Sequence, residues 1–157
     1  MEQAIKYNNL RRPAIFLASV IYLILIIFIS GNYFGWYQHY WWLDDLTHFL
    51  GGFWVAALFY YLDKRWQLLT INGRRFWLQL ILGLGFVALV GLLWEFSEFL
   101  GDWYLQKPLL QLGVVDTISD LFWDLMGGLV FFKVRYVWFI FLKSKKLIKL
   151  SKKLPDF

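Results

Sequence analysis

Residues 116–128 read DTISDLFWDLMGG. Asp116, Asp120 and Asp124 recur at every fourth position of a stretch that is otherwise mostly apolar. That spacing places three carboxylates on one slowly drifting stripe of a helix. Asp124 falls two turns beyond Asp116, about 12 Å further along the axis. Whether this helix lies in water or in lipid decides the fold, and the rest of the chain supplies the answer.

Of 157 residues, 60% are hydrophobic, 22% aromatic and only 17% charged. Mean hydropathy is +0.52. A soluble domain of this size carries more charge. The chain has no cysteine, which excludes disulfides, thiolate metal sites and cysteine nucleophiles.

A helix needs about 20 apolar residues to cross a bilayer core. Residues 13–30 (PAIFLASVIYLILIIFIS) carry no charge and read as a first span. Pro13 suits a first helical turn, where its missing N–H costs nothing. The run is longer than a signal-peptide core and no A-x-A-like site follows, so it is expected to remain as a span. Further spans are expected at about 44–62, 76–100 and 116–135. The apolar part of the basic tail 136–157 is too short to cross again. It either extends the last helix or lies along the membrane surface. The expected fold is all-α: one integral membrane domain, 1–157, of four transmembrane helices.

Cations orient it. All of the 16 Lys and Arg residues except Lys107 fall in the first segment, in the connection after the second span, or from Lys133 onward. By the positive-inside rule, both ends of the sequence face the cytoplasm, in an inner or plasma membrane. The net charge of +5 therefore points to a membrane face and not to nucleic acid. The aromatic loop from Gly31 to Leu43 reads as an interfacial belt.

Of the 11 acidic residues, Glu2, Asp63 and Asp156 fall at the ends or on the cationic side and carry no inferred role. Asp44, Asp45, Glu95, Glu98, Asp102, Asp116, Asp120 and Asp124 all fall toward the outer side, together with His48. Asp44 and Asp45 lie four and three residues from His48 and can flank its ring. Glu95, Glu98 and Asp102 share a face of the third span. Each stripe continues inward as small residues: Gly52 and Ala56, Gly91, and Gly127 with Gly128. Small residues let membrane helices approach closely.

Asp44, Asp45 and Asp116 also suit helix starts, where the dipole favours negative charge. Helix starts do not explain Asp124, Glu95 or Glu98. A charge at mid-membrane costs about 2.5–3.5 kcal/mol or more, and no Lys or Arg lies in these spans to offset it. Shared protons, water or a bound cation would relieve the crowding. The expected metal set is Asp44, Asp45, His48, Glu95, Glu98, Asp116, Asp120 and Asp124, with His48, Glu95, Glu98 and Asp120 as catalytic groups. Oxygen ligands suit Mg²⁺ or Mn²⁺, and the histidine admits Zn²⁺ or Fe. Ser97 and Ser119 adjoin the acids but form no nucleophile–base arrangement.

The segments DDLTHFLGGF, WEFSEF and DTISDLFWDLMGGLV, in that order, resemble the small VanZ-like membrane proteins, and more closely the YjdF-type inner-membrane family. The likeness covers roughly residues 43–130. Asp44, His48, Glu95, Asp120 and Gly127 match the VanZ-like pattern. Glu98 stands for its glutamine and Asp124 for its asparagine. The resemblance implies a polytopic envelope protein, with a link to glycopeptide resistance and no settled activity. Gly113, Asp116, Asp120 and Asp124 also resemble the end of the CDP-alcohol phosphotransferase motif, whose earlier elements are absent.

Three functions follow as expectations. The first is a metal-dependent hydrolase or transferase acting on a membrane lipid or lipid-linked phosphate. The second is a cation- or proton-binding or transport bundle without covalent chemistry. The third is a structural or regulatory envelope protein. Four short spans enclose little volume, which makes a homodimer plausible.

Overall fold

A computed structural model describes residues 2–69, 75–107, 110–111 and 113–151. Five helices follow in order: α1 Glu2–Tyr33, α2 Trp36–His39, α3 Trp42–Trp66, α4 Arg75–Leu105 and α5 Val114–Ser151. No strand occurs among the described residues. Arg74, part of the outer loop (108, 109 and 112) and the tail beyond Ser151, including Asp156, lie outside the described residues.

Three stretches are long and apolar enough to cross a membrane: Pro13–Tyr33, Phe76–Leu105 and Val114–Lys145. The helix α3 is 25 residues long, about 37 Å. It carries Asp44, Asp45, Thr47, His48 and Asp63, which dilute its apolar character.

Helices outrun the apolar segments that mark them, because a helix satisfies its own backbone in water as well as in lipid. Pro13 therefore stands inside α1 and not in its first turn. The helix α5 runs unbroken through the apolar and basic residues that follow Arg135, so the tail extends the last helix. The aromatic loop is shorter than expected, since α2 occupies its middle.

The helix α3 is central. It packs on α1, α4 and α5, while α4 also packs on α5. Its crossing with α5 is the closest. A Cβ on Gly52 would overlap the main-chain carbonyl of Asp124, and one on Gly127 would overlap that of Phe49. Only glycine fits where two backbones meet this way. Further along, Val55, Ala56, Val87 and Phe132 form a buried core, with Phe59, Leu84, Leu125 and Phe131 packed on it. The indole of Trp54 donates to the Leu17 carbonyl at 2.7 Å and ties α3 to α1.

Asp63 has a role that its position on the cationic side does not suggest. It is fully buried, accepts the Leu69 N–H at 3.0 Å and accepts from the Gln79 side-chain amide. It thus fastens the turn after α3 to the start of α4. The residue Gln67 that ends α3 is left-handed, with φ 53°, which turns the chain back toward Asp63.

Candidate functional site

The acidic stripes meet at the end of the bundle opposite Asp63. Three helices deliver them: α3 brings Asp44, Asp45 and His48, α4 brings Glu95 and Glu98, and α5 brings Asp116, Asp120 and Asp124. Antiparallel neighbours allow this. That end of the bundle is the start of α3 and α5 but the end of α4, so residues far apart in sequence share one level.

His48 is the hub. Its Nε2 lies 3.8 Å from Asp44 Oδ1 and 3.8 Å from Asp120 Oδ1, and its Nδ1 lies 3.5 Å from Asp124 Oδ2. Asp124 therefore addresses the opposite ring nitrogen from Asp44 and Asp120. Two trios converge so that one ligand atom from each residue lies within 4.8 Å of the others. They are Asp44, His48 and Asp120, and His48, Glu95 and Glu98. Neither trio contains Asp45, Asp116 or Asp124.

Burial is deep. Glu95 and Asp120 are each 2% exposed, and His48, Glu98 and Asp124 are also buried. Glu98 Oε1 accepts from the Trp94 indole at 2.9 Å. Glu95 Oε2 faces the Gln111 amide at 3.4 Å, and that amide also donates to the Thr117 hydroxyl at 3.0 Å. Glu95 Oε1 has no hydrogen-bond partner among the described residues. An orphaned carboxylate oxygen this deeply buried is costly unless something positive or a proton meets it.

The remaining acids have protein partners or stand on the rim. Asp45 Oδ1 accepts from the Ser119 hydroxyl at 3.1 Å. Asp102 accepts the backbone N–H groups of Leu110 and Gln111 at 2.9–3.1 Å and so fixes the outer loop. Ser97 donates to the Trp94 carbonyl, whereas Ser119 donates to a carboxylate, that of Asp45. Asp44 and Asp45 lie in the first turn of α3, but no side chain caps that helix.

Above the cluster lies a cavity of about 430 Å³, whose lining includes Tyr37, Asp44, Asp45, Glu98 and Asp116. Below it lies a smaller cavity of about 130 Å³, almost wholly apolar, with His48 and Asp124 in its wall. Tyr37 belongs to the upper vestibule as well as to the aromatic belt. Burial of its phenol, with Asp44 and Glu98 nearby, pushes its pKa above the ordinary value. It stays a proton donor at neutral pH.

Trp94, Gln111 and Tyr37 are site residues that sequence spacing missed. Trp94 was readable as i−4 to Glu98. Gln111 sits in a loop without periodicity, and Tyr37 sits in a short helix among other aromatics.

A family model described as predicted membrane protein (DUF2238) matches residues 3–141. An uncharacterized protein of Thermotoga maritima is 31% identical over 130 residues, which cover 80% of this chain. The matched region spans 62% of that relative's length. No solved structure matches.

Proposed function

The chain belongs to the DUF2238 family of predicted membrane proteins, and from that premise we propose a multi-pass plasma-membrane protein that holds a divalent cation at His48 and acts on a lipid or lipid-linked phosphate. In this reading α1, α3, α4 and α5 all cross the bilayer. The length of α3 and its packing against three apolar helices support a fourth crossing. The cation asymmetry supports an orientation with both ends of the sequence on the cytoplasmic side and the vestibule outside.

The observation that carries the proposal is Glu95, 2% exposed with Oε1 unpartnered among the described residues. The spacing around His48 agrees with it. At 3.8 Å, Asp44 and Asp120 are too far from Nε2 for hydrogen bonds. Two ligand atoms each about 2.1 Å from a common ion stand roughly 3.4–3.6 Å apart, so a small contraction closes a site of Asp44, His48 and Asp120. Glu95 and Glu98 complete it or serve as acid and base. Asp124, on Nδ1, orients the ring, as outer carboxylates do for metal-bound histidines. Asp45 and Asp116 stand at the rim. A cation here would polarise a phosphoryl oxygen or activate water. Mg²⁺, Mn²⁺ and Zn²⁺ all suit the donor set. The YjdF-type and VanZ-like resemblance of the three motifs fits an envelope role of this kind.

Transport fits less well. Inward of the cluster, Val55, Ala56, Val87 and Phe132 fill the bundle, and among the described residues no line of buried polar side chains links the site to Asp63. The test uses the full chain in detergent. Bound metal is measured by mass spectrometry, and phosphate release from phosphatidic acid and from a polyprenyl diphosphate is followed with Mg²⁺, Mn²⁺ or Zn²⁺. Bound metal with turnover supports the proposal. A metal-free chain, unaffected by chelator and inert on both lipids, overturns it.

A further inference from the structure

The lower cavity bears on what reaches the site. Its walls are Ile21 and Ile24 of α1, Val55 of α3, and Val87 and Val90 of α4, and its polar end is His48 with Asp124. Phe28 lines both this cavity and the vestibule. A dry chamber and a wet one therefore adjoin at the carboxylate cluster, as the two ends of an amphiphile would require.

The dry chamber also faces the bilayer. The helices α1 and α4 both line it, yet among the described residues their backbones do not approach closely. They are bridged at the outer end by Phe28 edge-on to Trp94, with ring centroids 4.9 Å apart. Near the start of its apolar stretch α1 is pinned to α3 by the Trp54 hydrogen bond to Leu17. Between those two points α1 and α4 leave a seam. A void this size forfeits dispersion contacts for every side chain that lines it, unless something apolar fills it.

We propose that one hydrocarbon chain of a membrane lipid enters through the α1–α4 seam and seats in this cavity, placing the lipid's first polar group against His48. This rests on the reading of the site as acting on a lipid, and it names the substrate class: an amphiphile presented chain-first from the bilayer. The cavity, about 130 Å³, is close to one known to hold a benzene ring, about 150 Å³, so it takes a short stretch of chain. Hydrocarbon gains little by moving from lipid into an apolar protein cavity. The cavity therefore sets depth and register more than affinity.

The experiment places the full chain in phosphatidylcholine vesicles containing phosphatidic acid with a diazirine midway along one acyl chain. After illumination, labelled residues are mapped by mass spectrometry. Labelling concentrated at Ile21, Ile24 and Val90, above that of the lipid-exposed Ile15, Phe16 and Leu23, is expected. Val90→Phe, and separately Ile24→Phe, should each lower that labelling about tenfold. Asp120→Asn should leave it in place, so that the chain slot and the cation site are judged separately. Even labelling of cavity and exposed residues, unchanged by both cavity-filling variants, overturns the proposal.

Discussion

Glu95→Gln exchanges a carboxyl for an amide, with almost no change of volume, in the most deeply buried part of the cluster. In the parent, Glu95 Oε1 has no partner among the described residues. Leaving such a group buried costs on the order of 1–3 kcal/mol. The variant's amide NH2 can donate to the neighbouring Glu98 carboxylate, which has an oxygen within 4.8 Å of one on Glu95. In chelator the variant should therefore be the more stable protein by about that amount. At a metal concentration near 1,000 times the parent's Kd, binding adds about 4.1 kcal/mol to the parent. If the neutral amide weakens binding about 100-fold, the same metal adds only about 1.4 kcal/mol to the variant. The gap then moves by about 2.7 kcal/mol toward the parent. For a chain of this size that is roughly 5–11 °C in melting temperature. Paired melting curves in detergent, with chelator and with Mn²⁺, read the shift directly. A gap that is the same in both conditions refutes the idea that Glu95 faces a cation. A variant less stable in both by the same margin makes Glu95 a structural acid.

Asp124→Asn should weaken Mn²⁺ binding about 10–100-fold by calorimetry, the usual effect of losing an outer-shell partner; Asp120→Asn should weaken it more. Equal effects would erase the distinction between the two ring nitrogens of His48. Gly52→Ala should destabilise by about 3 kcal/mol or more, because the new methyl meets the Asp124 main chain, which has nowhere to go. Gly91→Ala meets two side-chain ends, the Asp124 carboxylate most closely and Leu121 Cδ2 at 3.2 Å, and no main chain, so it should fold and reproduce the metal defect of Asp124→Asn. Asp63→Ala should cost on the order of 3 kcal/mol in thermal unfolding, since it strips the Leu69 amide and Gln79 of a buried acceptor. It should leave Mn²⁺ affinity unchanged, because it lies at the far end of the bundle.

Much of this arrangement is legible before any coordinates. The apolar runs mark the long helices, because a bilayer demands an uninterrupted apolar length. The steps of three and four bring Asp44 to His48, Glu95 to Glu98 and Asp120 to Asp124, because helical geometry does so locally. What spacing cannot supply is which group faces which across helices. That Asp124 addresses Nδ1 while Asp44 and Asp120 address Nε2 depends on the rotation of two helices, α3 and α5, about a glycine contact. Asp63 escaped for the same reason. Its partners Leu69 and Gln79 belong to a turn and to the next helix, and beside Lys64 and Arg65 it reads as one more surface charge. The start of α1 is not legible at Pro13, and the sequence leaves two readings open beyond Arg135, because polarity marks where lipid ends and not where hydrogen bonding stops.

The placement of polar groups along the bundle limits what any activity can be. Among the described residues, buried polar groups fall mainly at two levels: the cluster around His48, and Asp63 with Gln79 at the opposite end. Between them lie Val55, Ala56, Val87 and Phe132, with aromatic rings packed around them. A conduction path would have to hydrate that layer, against the cost of opening a close-packed core. The layer instead isolates the outer site, lowers the dielectric beneath it and strengthens every charge interaction there. Among the described residues, a cation so held would be reached from two directions: the acidic vestibule above, and the apolar cavity against α1. Water-borne ions suit the first route and hydrocarbon the second. A reaction that needs both a cation and a lipid would bring its two components in by separate routes and join them at His48.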